Sequence, residues 1–204
     1  MNRKLIAILR GITSNEVEAV SEVLIEAGID WLEVPLNSPQ VFESIELMAK
    51  RFSNHAHIGA GTVIKIEDVA WVKDVGGSFI VSPNCDQAII EKTKDLEMGS
   101  YPGVYSPTEC FAALKWGADA LKLFPASLIG TSGVTAIRAV LPKEIQMFAV
   151  GGVDPSNIEQ WKKAGINGFG IGSAIYQSGK SIDAVKKTAC EFVTAYDNVM
   201  NSKS

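Results

Sequence analysis

The sequence predicts an α/β chain folded as a single (β/α)8 TIM barrel over residues 1–204. Three observations predict it. Eight short apolar runs recur at even spacing, each too short for a helix and most bounded by Gly, Pro, Ser or Asn. The gaps between them read as helices, which implies a parallel sheet with right-handed crossovers. The residues able to do chemistry fall at the C-terminal ends of several different runs, where such barrels carry their active sites. An open doubly wound sheet is the competing closure, but no strong dinucleotide fingerprint follows the first run.

The predicted strands cover residues 5–9, 31–35, 57–60, 79–82, 100–102, 120–123, 146–150 and 168–171. Ser14 gives the first helix a polar start ahead of Val17, Val20 and Leu24. Ser38-Pro39, Ser106-Pro107 and Asp154-Pro155 open later helices, with Pro in the first turn where its missing N–H costs nothing. Ala27-Gly28, Trp116-Gly117 and Ala164-Gly165 close three helices with a glycine able to turn left-handed.

Composition narrows the function. With 204 residues, 47% hydrophobic, the chain can bury one sizeable core and is not disordered. A net charge of −4 argues against nucleic acid as the main partner, while leaving room for a locally basic anion pocket. Cys85, Cys110 and Cys190 are odd in number, widely spaced and match no zinc pattern, so they read as reduced thiols. His55 and His57 form an HxH pair with no third ligand nearby and read as a strand entry, so no metal is expected. The N-terminal apolar stretch is too short for a signal peptide, and no window reaches bilayer length. The expectation is a cytoplasmic protein without membrane contact.

Taken in strand order, the chemical candidates begin with Arg10. It is either a solvated rim arginine or a paired-donor clamp for a carboxylate or phosphate. Glu33 lies in an apolar strand, where a carboxylate is costly to bury unless paired, and where its raised pKa suits a proton shuttle. Gly59-Ala60-Gly61-Thr62 lets a ligand approach the backbone, although the same residues suit a tight strand exit. Ser82-Pro83-Asn84 reads as a turn. Lys122 in Ala120-Leu121-Lys122-Leu123-Phe124-Pro125 is the most informative position. Desolvation lowers a lysine pKa, and the neutral amine attacks ketones to form an imine, an electron sink. The competing reading is a lysine that snorkels to the rim or pairs with Glu33. Val150-Gly151-Gly152 and Gly170-Ile171-Gly172-Ser173 are Gly-rich turns after the seventh and eighth strands, the usual phosphate site of a barrel.

Together, Arg10-Gly11, Glu33, Gly59-Ala60-Gly61-Thr62, residues 121–125, Gly151-Gly152 and Gly170-Ile171-Gly172-Ser173 resemble the 2-keto-3-deoxy-6-phosphogluconate/galactonate aldolases. The likeness runs from about Leu5 to the last helix. Asn37 and Val150 follow the galactonate branch; the gluconate branch usually has arginine and threonine there. The resemblance implies a class I aldol cleavage of a phosphorylated keto acid, with no metal and no cofactor, in a homotrimer. Lys122 would form the imine and Glu33 would move protons. Arg10 and Thr62 would hold the keto-acid end; Gly151, Gly152, Gly172 and Ser173 would cradle the phosphate; Phe124 and Pro83 would shape the wall. Two positions depart from the pattern. Asp154 stands near the expected phosphate, where it would repel the substrate unless it caps the helix opened by Pro155. Tyr105 stands in the turn after the fifth strand, where it would narrow the pocket or cover its rim. The nearest alternative is the gluconate epimer as main substrate, as in the aldolases of the Entner-Doudoroff type; isomerase or epimerase chemistry on a phosphate-binding barrel is a second, though no cluster of metal ligands or paired acids supports it. A non-enzymatic sugar-phosphate sensor would not need a lysine poised opposite a glutamate.

Overall fold

Parity along the strands decides which side chains enter the barrel. In the computed structural model, which describes residues 3–201, the chain runs β1 (Leu5–Ile8), α1 (Val17–Ala27), β2 (Trp31–Pro35), α2 (Val41–Phe52), β3 (His57–Gly61), α3 (Ile66–Asp74), β4 (Phe79–Val81) and α4 (Gln87–Asp95). It continues through β5 (Gly99–Tyr101), β6 (Gly103–Val104), α5 (Pro107–Lys115), β7 (Ala120–Leu123), α6 (Ala126–Val140), β8 (Gln146–Val150), α7 (Ile158–Lys163), β9 (Gly168–Ile171) and α8 (Ile182–Asn201). The strands are parallel, in the order β5-β4-β3-β2-β1-β9-β8-β7-β6. Alternate residues such as Leu32 and Val34, Leu121 and Leu123, and Met147 and Ala149 pack outward against the helices in one large core. The intervening positions turn inward. Ile6, Phe79, Val81, Ala120 and Phe148 form a second, inner cluster, against which Trp31 and Tyr101 pack.

The nine strands make eight staves, because β5 and β6 are one stave broken at Pro102. Proline has no N–H to give to a ladder. Its carbonyl still accepts from Lys122 N (3.0 Å), and Asp119 N donates to Ser100 O (3.0 Å), which closes the barrel. The sequence reading placed one strand at 100–102 and missed that interruption and the two residues beyond it. Gly103 fits the break: a Cβ there would lie 2.2 Å from Pro83 O, against backbone that cannot yield.

The helix ends follow the sequence reading in part. Gly28, Gly117 and Gly165 all take left-handed φ, at 98°, 97° and 104°. Ser106 and Glu109 form a reciprocal capping box on α5. The other predicted starts need correction. Ser14 does not cap α1, which begins at Val17 after Glu16. Ser38 does not open α2; Gln40 turns left-handed (φ 45°) before Val41, and Ser38 Oγ accepts instead from Gly11 N (2.9 Å). Asp154 lies ahead of α7 and accepts from Ser156 N (2.9 Å) and Ser156 Oγ (2.7 Å), so its carboxylate is committed to its own turn. The chain ends meet where Arg3 donates two bonds to Asp197, at 2.8 and 2.7 Å. No helix among the described residues is long and apolar enough to cross a membrane.

Gly103→Ala is expected to destabilise the barrel by about 1–3 kcal/mol, since overpacking here meets backbone. Urea unfolding compared with the parent checks it.

Candidate active site

Inward parity places Glu33 on β2 and Lys122 on β7 in the same narrow well. Its walls are Ile6, Ile8, Val81, Tyr101, Phe148, Val150 and Gly170. Glu33 is 2% exposed and Lys122 8% exposed, so water solvates neither group well. Glu33 Oε2 is buried with no hydrogen-bond partner. Lys122 Nζ donates to Ser82 O at 3.3 Å and sits 4.7 Å from the centre of the Phe124 ring. The well exists because glycine stands at key points. A Cβ on Gly61 would fall 1.4 Å from Glu33 Oε2, and one on Gly170 would fall 2.7 Å from Val150 Cγ2.

Burial sets the protonation of the pair. It raises the Glu33 carboxyl from 4.5 to about 7, against the opposing pull of the Lys122 and Arg10 charges. It lowers the Lys122 ammonium; the Glu33 charge opposes that shift and the Arg10 charge adds to it. The well therefore moves both groups toward what imine chemistry requires: a lysine that gives up its proton more readily than in water, beside a carboxyl able to give and take one near neutrality.

Above the well opens a second cavity of about 430 Å³. Arg10, Phe124, Val150, Gly151, Gly152, Gly172 and Ser173 all line it, with Tyr176, Gln177 and Ser178. Val150 lines both cavities and stands between them. Gly151 and Gly152 take φ of 93° and 80°, a conformation that favours glycine. After β9 a single helical turn follows, with Tyr176 N bonded to Gly172 O at 3.1 Å. Glycine backbone and the single Arg10 guanidinium on its wall suit this cavity to an anion.

Arg10, at the exposed rim, donates to Asn37 Oδ1 (2.6 Å) and to Thr62 Oγ1 (3.3 Å). Asn37 and Thr62 thus reach the site through Arg10 and line neither cavity. Pro83 lines neither as well; its carbonyl instead abuts Gly103. Sequence reasoning missed Tyr101, Phe148, Ile8 and Val81 in the well, and Tyr176, Gln177 and Ser178 in the outer cavity. Strand parity could have found Ile8 and Phe148. Nothing local marks Tyr176. Tyr105 is half exposed and lines neither cavity. His57 opens β3 and stacks on Trp31, with ring centroids 4.2 Å apart. No cluster of three or more His, Cys, Asp or Glu able to hold a metal occurs among the described residues.

Comparison with known proteins agrees with this geometry. The family model for KDPG and KHG aldolase matches residues 1–194. The chain is 47% identical to the probable 2-dehydro-3-deoxy-6-phosphogalactonate aldolase of Rhizobium meliloti (strain 1021), over 98% of this chain and 94% of that one. It is 45% identical to the 2-dehydro-3-deoxy-6-phosphogalactonate aldolase of Escherichia coli (strain K12), over 94% of each chain. A solved structure described as native KDPGal superposes with a TM-score of 0.97 at 43% identity, covering 98% of both chains. The chain belongs to the KDPG and KHG aldolase family of carbon–carbon lyases.

Proposed function

We propose that the chain cleaves 2-dehydro-3-deoxy-6-phospho-D-galactonate to pyruvate and D-glyceraldehyde 3-phosphate through an imine on Lys122. The observation that carries this reading is the desolvated Lys122–Glu33 pair beneath a glycine-lined cavity of about 430 Å³, roomy enough for a phosphorylated chain. Lys122 Nζ adds to the C2 ketone, and Glu33 passes protons while the carbinolamine loses water. Glu33 then takes the proton of the C4 hydroxyl. The C3–C4 bond breaks, its electron pair enters the iminium, and the aldehyde leaves. The resulting enamine is protonated at C3 through Glu33, and water releases pyruvate from Lys122.

Arg10, held by Asn37 and Thr62, takes the keto-acid end. Gly151, Gly152, Gly172 and Ser173 hold the phosphate, while Phe124, whose ring centre lies 4.7 Å from Lys122 Nζ, shapes the approach to it. Asn37 and the apolar Val150 favour the galacto epimer over the gluco epimer. The reaction needs neither metal nor cofactor. In this reading residues 1–204 act as one domain in the cytoplasm, assembled as a homotrimer. Ile64, Trp71, Phe111 and Leu128 are large apolar side chains left exposed on the described surface, which supports an assembly that would cover them.

Incubation with pyruvate and borohydride is expected to leave a reduced adduct on the Lys122 peptide; its absence, under conditions that trap a known class I aldolase, would sink the mechanism. Lys122→Ala should lose both adduct and cleavage while keeping the fold. Comparing kcat/KM on the two epimers tests substrate choice, and a higher value on the gluco epimer would reverse it.

Glu33→Gln is expected to slow cleavage by roughly 10²–10⁴ and to remove an acidic limb near pH 7 from the kcat/KM profile. The same substitution has a stability consequence. Because the folded pKa of Glu33 is raised above 4.5, its contribution to stability is full below that value and is lost as pH rises through about 7. Relative to the parent, Glu33→Gln should therefore gain up to about 3 kcal/mol between about pH 4 and about pH 8. Unfolding curves at the two pH values read this difference.

A further inference from the structure

The loop after β9 and the loop after β1 are joined by side chains outside the reaction just described. Tyr176, 2% exposed, donates its hydroxyl to Glu16 Oε1 at 2.8 Å. The same oxygen accepts from Thr13 N (3.1 Å) and Thr13 Oγ1 (3.2 Å), which anchors the segment that follows Arg10. Burial and the Glu16 contact both raise the Tyr176 phenol, so it stays a donor. Two positions later in the loop, Ser178 Oγ donates to Gly11 O at 3.0 Å. Gly11 N in turn donates to Ser38 Oγ at 2.9 Å, and Ser38 is buried beside Asn37, the residue that accepts from Arg10. Gly11 takes φ +82°, and a Cβ on it would lie 2.8 Å from Ser178 Oγ. The corner bearing Arg10 is thereby held on one side by the phosphate loop and on the other by the loop after β2.

The phosphate loop is tied together by its own hydrogen bonds. Ile175 N and Tyr176 N both bond back to Gly172 O, and Lys180 Nζ donates to the carbonyls of Ala174 (3.0 Å) and Ile175 (2.9 Å). An anion that pins Gly172 and Ser173 therefore also pins Tyr176 and Ser178, and through them the Arg10 corner. Binding energy from a remote part of the substrate can in this way organise the reacting end.

Resting on the reading above, we propose that Glu16 and Ser38 are positioning residues that couple occupancy of the phosphate cavity to the Arg10 clamp, so that a phosphate-like dianion activates the chemistry at Lys122 even when it is not attached to the substrate. Coupling is reciprocal, so pyruvate bound at Lys122 tightens the dianion equally.

The test separates the dianion from the keto acid. Exchange of the pyruvate methyl protons into D2O, followed by NMR, reports enamine formation on the full chain without any phosphorylated substrate. Inorganic phosphite is added as the dianion. The expected result is a saturable acceleration of roughly 5- to 150-fold. Glu16→Ala and Ser38→Ala should keep the phosphite-free exchange rate within about two-fold and lose most of the acceleration, and Glu16→Gln, which retains an acceptor oxygen, should recover it. The proposal is overturned if phosphite competes with phosphorylated substrate yet leaves parental exchange unchanged. It is equally overturned if the two alanine variants accelerate as the parent does, or lower the basal rate while the ratio stays constant, as a purely structural role would. Absence of any exchange or borohydride adduct in the parent would instead remove the imine reading itself.

Discussion

Everything in the centre of this barrel follows from keeping one lysine and one glutamate out of water together. Isolated, either charge would be expensive to bury. Placed in the same well, each shifts the other, and burial drives both toward their neutral forms. The surroundings are arranged around that requirement. Aromatic rings of Trp31, Phe79, Tyr101 and Phe148 pack together inside the barrel beside the pair, with successive centroids 5.0 to 5.8 Å apart. Ser82 O gives Lys122 a single weak acceptor at 3.3 Å, enough to orient the amine without holding its charge.

The division of space above the pair is equally physical. The well around the pair is tight and apolar, whereas the cavity above it, at about 430 Å³ and lined by glycine backbone, has the room a substrate needs. Ile8, Val150 and Gly170 line both spaces and mark the passage from one to the other. Arg10 stands at the rim of the larger cavity and adds its charge to both members of the pair below. One arginine therefore favours anion capture and a neutral lysine at once.

Much of this was legible in the residues. Short, evenly spaced apolar runs placed Glu33 and Lys122 in strands, and an uncompensated charge in an apolar strand pointed to chemistry without the structure. The left-handed glycines and the capping box at Ser106 were readable because their geometry depends on neighbours in sequence. The misreadings have a common cause. Ser38 looked like a helix start but serves Gly11, and the polar start read at Ser14 is a turn ahead of α1, which begins only at Val17. In both cases a distant partner or a local backbone twist overrode the propensity. Tyr176 was invisible for the same reason: its role is defined by Glu16, which lies far from it along the chain and close to it only in the folded barrel.

The contact between Gly61 and Glu33 has a further consequence. The carboxylate occupies the volume that a side chain on β3 would otherwise fill. Any mutation adding a side chain at Gly61 evicts the acid, and no single change at Glu33 then restores it, because the space is gone. The two codons are thus locked in epistasis: neither can drift alone while the activity is under selection. Descendants that abandon this chemistry should be recognisable by bulk accumulating at the glycine as soon as the acid is lost.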